Sequence, residues 1–424
     1  MVLQHHEKCL FWGASRDGQT VRLTFRGRSV DAVSQNGHWR AEIAVGDPGG
    51  PFPLTVQSAS STLEIKEIYV GEVWLVAGQS NAAQSCDYGP PQDGSRVVRY
   101  YRVTADCKGL ANSWVAAGNI PIVAWNFGQR LEASRGVPVG IICCAVGGTC
   151  IEQWRPVADP SAMSAGPGGE LGPARELYDK WIASFLPYRI KGVVWWQGES
   201  NANNVSDYLM KFKALISEWR TAWGQGALPF VWVQLQRVED SGPDWLRKIA
   251  AERARLADAQ RRALAVPNTA MVCTYDITAG DLHPSYAEKE IIAKRLVLAA
   301  EALVYGQPED GFGPLPGKAE INGGDLTVSF AHAVAGLKAV DNVTTKGRSS
   351  AAGTPAELRG FEIHGTGASF VPANASIDGN SVRVSVAGLK RPVVLRYAWG
   401  PMPVANLCNA AGLPAPTFQL DPIR

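Results

Sequence analysis

The stretch Glu72-Val73-Trp74-Leu75-Val76-Ala77-Gly78-Gln79-Ser80-Asn81 decides how this chain is read. Its apolar run, 73–77, is too short for a helix and too continuous for a strand with one wet face, so it predicts a strand buried on both faces. Buried strands of that kind belong to parallel sheets, whose ligand crevices lie beyond the carboxyl ends of the strands. Gly78-Gln79-Ser80-Asn81 occupies such an end, which makes Ser80 a candidate nucleophile. The same position also suits a serine that only caps a following helix.

Working outward, four more apolar runs at 139–143, 192–196, 230–235 and 271–274 read as buried strands. Between and after them, 122–134, 174–186, 205–223, 245–264 and 285–304 read as helices. This alternation predicts a doubly wound α/β core with a parallel sheet over residues 68–306. Residues 1–67 alternate apolar and polar positions at 21–25 and 39–43, with turn signals at Asn36-Gly37 and Gly49-Gly50-Pro51, and predict a small N-terminal β domain. After the link Gly311-Phe312-Gly313-Pro314-Leu315-Pro316-Gly317, strands expected at 326–330, 360–364, 382–386 and 393–399 predict a C-terminal β-sandwich-like domain over 307–424.

The chain has 424 residues, 46% apolar and 19% charged, with a formal charge of +2, which suits a globular protein of two or three domains. Lysine and arginine form no basic block, so a nucleic-acid partner is not expected. No apolar run approaches the length of a membrane span. The eight cysteines form no Cys-x-x-Cys pair and no zinc spacing, and no metal is expected. Buried thiols are the plain reading of most, with a Cys86–Cys107 disulfide as an alternative for that pair.

A serine nucleophile needs a base, usually histidine. Of six histidines only His283 falls inside the α/β core, in Gly280-Asp281-Leu282-His283-Pro284 between a strand and a helix. Two other strand ends carry chemistry-bearing turns. One is Gly147-Gly148-Thr149-Cys150-Ile151-Glu152-Gln153-Trp154, where glycine lets a backbone N–H approach a substrate. The other is Gln197-Gly198-Glu199-Ser200-Asn201, where an amide side chain could donate to an oxyanion. Glycine and asparagine serve ordinary turns equally well.

Taken together, Gly78-Gln79-Ser80-Asn81, Gly147-Gly148-Thr149, Gln197-Gly198-Glu199-Ser200-Asn201 and Asp281-Leu282-His283-Pro284 resemble the ordered blocks of SGNH hydrolases, and more narrowly the sialate O-acetylesterase-like branch. Met1-Val2-Leu3-Gln4, Gly49-Gly50-Pro51, Val394-Leu395-Arg396-Tyr397-Ala398-Trp399, Asn406-Leu407-Cys408-Asn409 and Gly412-Leu413-Pro414 extend the resemblance over almost the whole chain.

The resemblance implies an acetyl esterase acting on a carbohydrate, without cofactor, with Ser80 as nucleophile and His283 as base. It implies an oxyanion hole from the N–H groups of Ser80 and Gly147 with an amide side chain, Asn201 or Gln197, the former preferred. Asp281 is the expected orienting acid, although it stands two residues before His283 where many SGNH enzymes have three. Glu199, Asp276 or a backbone carbonyl are the alternatives. Gln79, Trp154, Arg155 and Glu199 are candidate substrate contacts, Trp154 by stacking on a sugar and Arg155 by meeting an anionic group. The Gly- and Pro-rich residues 165–173 are a candidate substrate-side loop. The family context implies a secreted or periplasmic location. Competing readings are a carbohydrate-binding protein without turnover, or a lipase or thioesterase.

Overall fold

The computed structural model describes residues 1–89, 97–102, 113–157, 174–239, 243–278, 280–307, 311–322, 324–342, 356–365, 369–386, 388 and 393–423. The first seven strands are β1 (Val2–Gln4), β2 (Lys8–Ala14), β3 (Thr20–Phe25), β4 (Arg28–Val33), β5 (His38–Ala44), β6 (Gly49–Gln57) and β7 (Thr62–Gly78). The sheet that β3, β4 and β6 build continues through β7 into the rest of the protein. The boundary expected after residue 67 therefore falls inside one strand. At Glu67 the backbone turns to φ 57; β6 still pairs antiparallel with β7 at Ile68 and Val70, and from Glu72 onward the neighbours of β7 are parallel.

Past β7 come α1 (Ser80–Ala83), β8 (Ser85–Tyr88), β9 (Val98–Arg102), β10 (Gly118–Pro121), α2 (Ile122–Arg135), β11 (Val139–Ala145) and β12 (Gly192–Trp196). Then follow α3 (Tyr208–Trp223), β13 (Phe230–Val233), α4 (Asp244–Arg262), β14 (Thr269–Val272) and α5 (Tyr286–Val304). Strands β9, β11, β7, β12, β13 and β14 pair in that order, all parallel. With the antiparallel β3, β4 and β6 they form one large mixed sheet in an α/β protein.

Alternate residues of each central strand enter opposite cores, as the two-residue period of a strand dictates. Leu75, Val193, Trp195 and Trp232 pack with Phe212 and Trp219 of α3 and Leu256 of α4. Trp74, Val76, Val194 and Trp196 pack with Phe127 and Leu131 of α2 and Ile292 and Leu296 of α5. Each face of the sheet is thus covered, which accounts for the unbroken apolar runs in the sequence. Residues 174–186 depart from the expected helix. They form a π turn at Tyr178–Ile182 and a 3-10 turn at Ala183–Phe185, which bury Tyr178, Trp181 and Ile182 before Pro187.

In the C-terminal region two four-stranded sheets share one core built from Leu326, Val328, Phe361, Leu395, Tyr397 and Phe418. This region is bonded to the α/β part. Gln234 exchanges two hydrogen bonds with the Thr417 backbone, each 3.1 Å, and Tyr275 and Tyr397 meet hydroxyl to hydroxyl at 3.0 Å. Among the described residues no helix is long and apolar enough to cross a membrane. Cys86 is a free thiol, while Cys107 and the candidate loop 165–173 lie outside the described residues.

Candidate active site

Gly78 ends β7 with φ 142, and a Cβ there would stand 2.0 Å from the carbonyl of Trp196 at the end of β12. Only glycine permits that approach. It lets the Gln79 N–H donate to the Trp196 carbonyl at 3.0 Å and brings two of the sequence blocks together at one edge of the sheet. Ser80 opens the short helix that follows, and its Oγ lies 2.9 Å from His283 Nε2. Two residues 203 positions apart are thereby in hydrogen-bond contact.

Gly147 lies beside them. A Cβ built on it would stand 3.5 Å from Ser80 Cβ, and the residue is exposed. Among the described residues no hydrogen bond occupies the N–H of Ser80 or of Gly147, so both are open to a ligand. Thr149 closes the turn behind by donating its hydroxyl to the Val146 carbonyl at 2.8 Å.

The His283 loop is held by amides that the sequence reading left without a role. Asn81 Nδ2 donates to the Leu282 carbonyl at 3.2 Å, and Gln236 Nε2 donates to the same oxygen at 2.8 Å. Asn81 Nδ2 also donates to Glu199 Oε1 at 2.7 Å, and its Oδ1 accepts from Lys289 Nζ at 3.2 Å. Ser285 caps α5 through a box with Glu288, which fixes the exit of the loop. Asn81 was visible in its block, whereas nothing in the sequence marked Gln236, Lys289 or Arg253.

Half-burial pushes the His283 imidazole below its ordinary proton affinity, and the cations of Lys289 and Arg253 push the same way against the opposing field of Glu199. The ring is therefore neutral at neutral pH, the form a general base needs. Burial brings the Lys289 ammonium down to about 8 and the Arg253 guanidinium down to about 10.

Several expected site residues stand elsewhere. Asp281 is exposed, and among the described residues no hydrogen bond or ion pair joins it to His283. Asp276 is taken by Arg295 in a two-pronged pair at 2.7 and 2.6 Å. Both candidate oxyanion amides are used within the scaffold. Gln197 Nε2 donates to the Thr149 carbonyl at 3.1 Å and to Asn201 Oδ1 at 2.7 Å. Asn201 Nδ2 donates to the Glu152 carboxylate at 3.0 Å. Their N–H groups face the turns they brace and not Ser80.

The expected substrate contacts are corrected as well. Gln79 is buried and its Oε1 accepts from the N–H groups of Gly198 and Ser200 at 3.2 and 3.3 Å. Trp154 has 0% exposure and donates its indole N–H to Thr149 Oγ1 at 3.0 Å, so it offers no face to a sugar. Arg155 clasps Glu218 through Nε at 3.0 Å and Nη2 at 2.5 Å. Glu199 is buried on Asn81. Among the described residues no cluster of three or more His, Cys, Asp or Glu side chains could hold a metal ion.

A hydroxyl and a neutral imidazole in contact at the carboxyl edge of a parallel sheet, beside two open N–H groups, define the class as an α/β-fold hydrolase. Residues 70–301, more than half of the chain, match the family described as carbohydrate esterase, sialic acid-specific acetylesterase. The chain belongs to that family and is an esterase. It is 28% identical to the sialate O-acetylesterase of Pongo abelii over 99% of this chain and 90% of that protein. The human sialate O-acetylesterase is also 28% identical, over 76% of this chain and 72% of its own length. A carbohydrate acetylesterase from Xanthomonas citri has a solved structure with a TM-score of 0.83 and 30% identity, covering 99% of this chain and 97% of that one.

Proposed function

We propose that this esterase removes O-acetyl groups from a carbohydrate through an acetyl-enzyme on Ser80. The observation that carries the reading is the 2.9 Å contact between Ser80 Oγ and His283 Nε2 in a site that keeps the imidazole neutral. Ser80 Oγ attacks the acetyl carbonyl carbon while its proton passes to His283 Nε2. The carbonyl oxygen, now negative, meets the N–H groups of Ser80 and Gly147. Collapse breaks the ester bond, and His283 gives its proton to the departing sugar oxygen. Water then attacks the acetyl carbon with His283 again as base, which releases acetate and restores Ser80.

Acetylated oligo- or polysaccharide is the preferred substrate, since the carbohydrate acetylesterase from Xanthomonas citri matches this chain from end to end. O-acetylated sialic acid is the second candidate, on the sialate esterases. A polymeric substrate would place the enzyme outside the cytoplasm. The test is acetate release from acetylated xylan and from O-acetylated sialic acid, side by side, for wild type and Ser80→Ala. Release that disappears in the variant supports the serine mechanism, and the faster substrate names the alcohol. No release from either, nor from a small activated acetate ester, would remove the reading and favour a sugar-binding protein on the same fold.

A further inference from the structure

Where the C-terminal region meets the α/β part, a cavity of about 550 Å³ opens, and neither Ser80, Gly147 nor His283 lies in its wall. One side comes from the start of α3, with Leu209 and Met210, and from α4, with Arg255 and Arg262. The other side comes from the C-terminal strand Val393–Tyr397, with Arg396, and from Trp399 just beyond it. The volume is within the range of sites that take small organic molecules.

The charge around this space is one-sided. Among the described residues Asp258 is the one carboxylate in the wall, and it is already committed. It accepts from Arg261 Nε at 2.8 Å and from the Gln419 N–H at 3.2 Å. Arg255 has only an exposed partner, Glu252 at 3.3 Å, and Arg262 has no ion pair among the described residues.

Arg396 is held as a plate. Its guanidinium carbon lies 3.5 Å from the ring centre of Phe370 and 4.4 Å from that of Trp399, and its Nε donates to Gln419 Oε1 at 2.8 Å. Those contacts fix the plane, while Nη1 and Nη2 carry no hydrogen bond among the described residues. A guanidinium edge fixed in this way matches the two oxygens of a carboxylate. Burial and the field of Arg255 both press Arg396 toward losing its proton. Glu362, which answers that field, lines a neighbouring cavity and not this one. The two arginines therefore repel each other beside an unfilled space, and an anion there would relieve the repulsion. Leu209, the exposed Met210 and Trp399 add the apolar surface against which the C–H face of a sugar ring packs.

We propose that this cavity is a second glycan-binding site, which takes a sugar unit carrying a carboxylate. The carboxylate meets the open edge of Arg396, Arg255 and Arg262 supply the attracting field, and the ring lies against Trp399 and Met210. The site anchors an acidic glycan to the enzyme without entering the reaction at Ser80. The choice of a glycan rests on the carbohydrate reading above, whereas binding does not depend on the serine mechanism.

The test is isothermal titration calorimetry with ligands that carry no acetate, so that turnover plays no part. The probes are a xylo-oligosaccharide bearing glucuronic acid, the same oligosaccharide with its carboxyl group reduced to an alcohol, and sialyllactose. At least one of the two acids should bind, and the tighter one tells whether the carboxylate comes from a uronic or a sialic acid. The reduced oligosaccharide should bind at least about tenfold more weakly than its acid, the effect of losing a charge-assisted contact. Arg396→Gln should weaken the acid by about tenfold or more and Arg262→Gln by about threefold or more, and added salt should shrink both differences. Melting temperature controls for folding. If Arg396→Gln does not fold once the plate between the two rings is lost, the exposed Arg262→Gln carries the same test. Equal binding of acid and reduced sugar, no binding of either acid, or binding indifferent to both substitutions overturns the proposal. Any of these leaves the serine mechanism standing, which acetate release by Ser80→Ala judges separately.

Discussion

Asn81, the residue after Ser80, donates its side-chain amide to the carbonyl of Leu282, the residue before His283, at 3.2 Å. Nucleophile and base are therefore fastened to each other through their immediate neighbours as well as through their own 2.9 Å contact. Preorganisation of this kind spares the reaction the cost of ordering two distant loops. Asn81→Ala should lower kcat by roughly 10–10²-fold through misplacement of the base, with a smaller effect on KM. Steady-state kinetics on a soluble acetate ester reads both constants, and an unchanged kcat would count against the tie.

The pH dependence has a definite sign. His283 works as a base only when neutral, and burial with Lys289 and Arg253 lowers its proton affinity from the ordinary 6.5. The rate should rise with pH and reach half its plateau below 6.5. A midpoint of kcat/KM above that value would contradict the electrostatics described.

Lys289→Gln should move the titration of the base. The amide can still donate to Asn81 Oδ1, but a cation that opposes imidazolium is removed. The acid limb should move to higher pH. A shift downward, or none in a folded variant, would separate Lys289 from the base.

Gly78→Ala should be among the most damaging single substitutions. Its Cβ would fall 2.0 Å from the Trp196 carbonyl at a backbone φ of 142. Either β7 and β12 part or the peptide reorients, and a destabilisation of about 3 kcal/mol or more is expected. Thermal unfolding, or loss of soluble protein, reads the outcome.

Trp154→Ala should lower stability by about 3–5 kcal/mol as a buried indole is replaced by a cavity. KM of the folded fraction for an acetylated sugar should change little. Arg155→Ala should leave KM alone too, because its guanidinium is spent on Glu218. A large rise in KM in either variant, without loss of stability, would return these residues to the cleft.

The buried strands were legible because a sheet covered on both faces needs unbroken apolar runs, and 73–77 and 192–196 are such runs. The approach of His283 to Ser80 was legible too, since an α/β core with one histidine leaves few places for a base. What the sequence did not disclose was direction. Asp281 is near His283 in the chain yet faces water, and Trp154 is near the Gly147 turn yet faces inward. Gln197 and Asn201 have the right chemistry for an oxyanion but bind one another, because adjacent turns must satisfy their own buried polar groups first. Arg253 and Gln236 arrive from other elements with no local pattern to announce them.

The 17-residue strand β7 has a consequence for how this chain can change length. Its outer half belongs to the N-terminal sheet and its inner half carries Ser80 past its end, so the spacing between them is counted in residues and not absorbed by a linker. Inserting one residue between Glu67 and Gly78 would turn part of the strand over, sending side chains such as Trp74 and Val76 toward the layer of Leu75 and Ala77. Insertions and deletions are thus confined to loops, while the stretch from Glu67 to Ser80 acts as a ruler of fixed length that sets where the nucleophile stands.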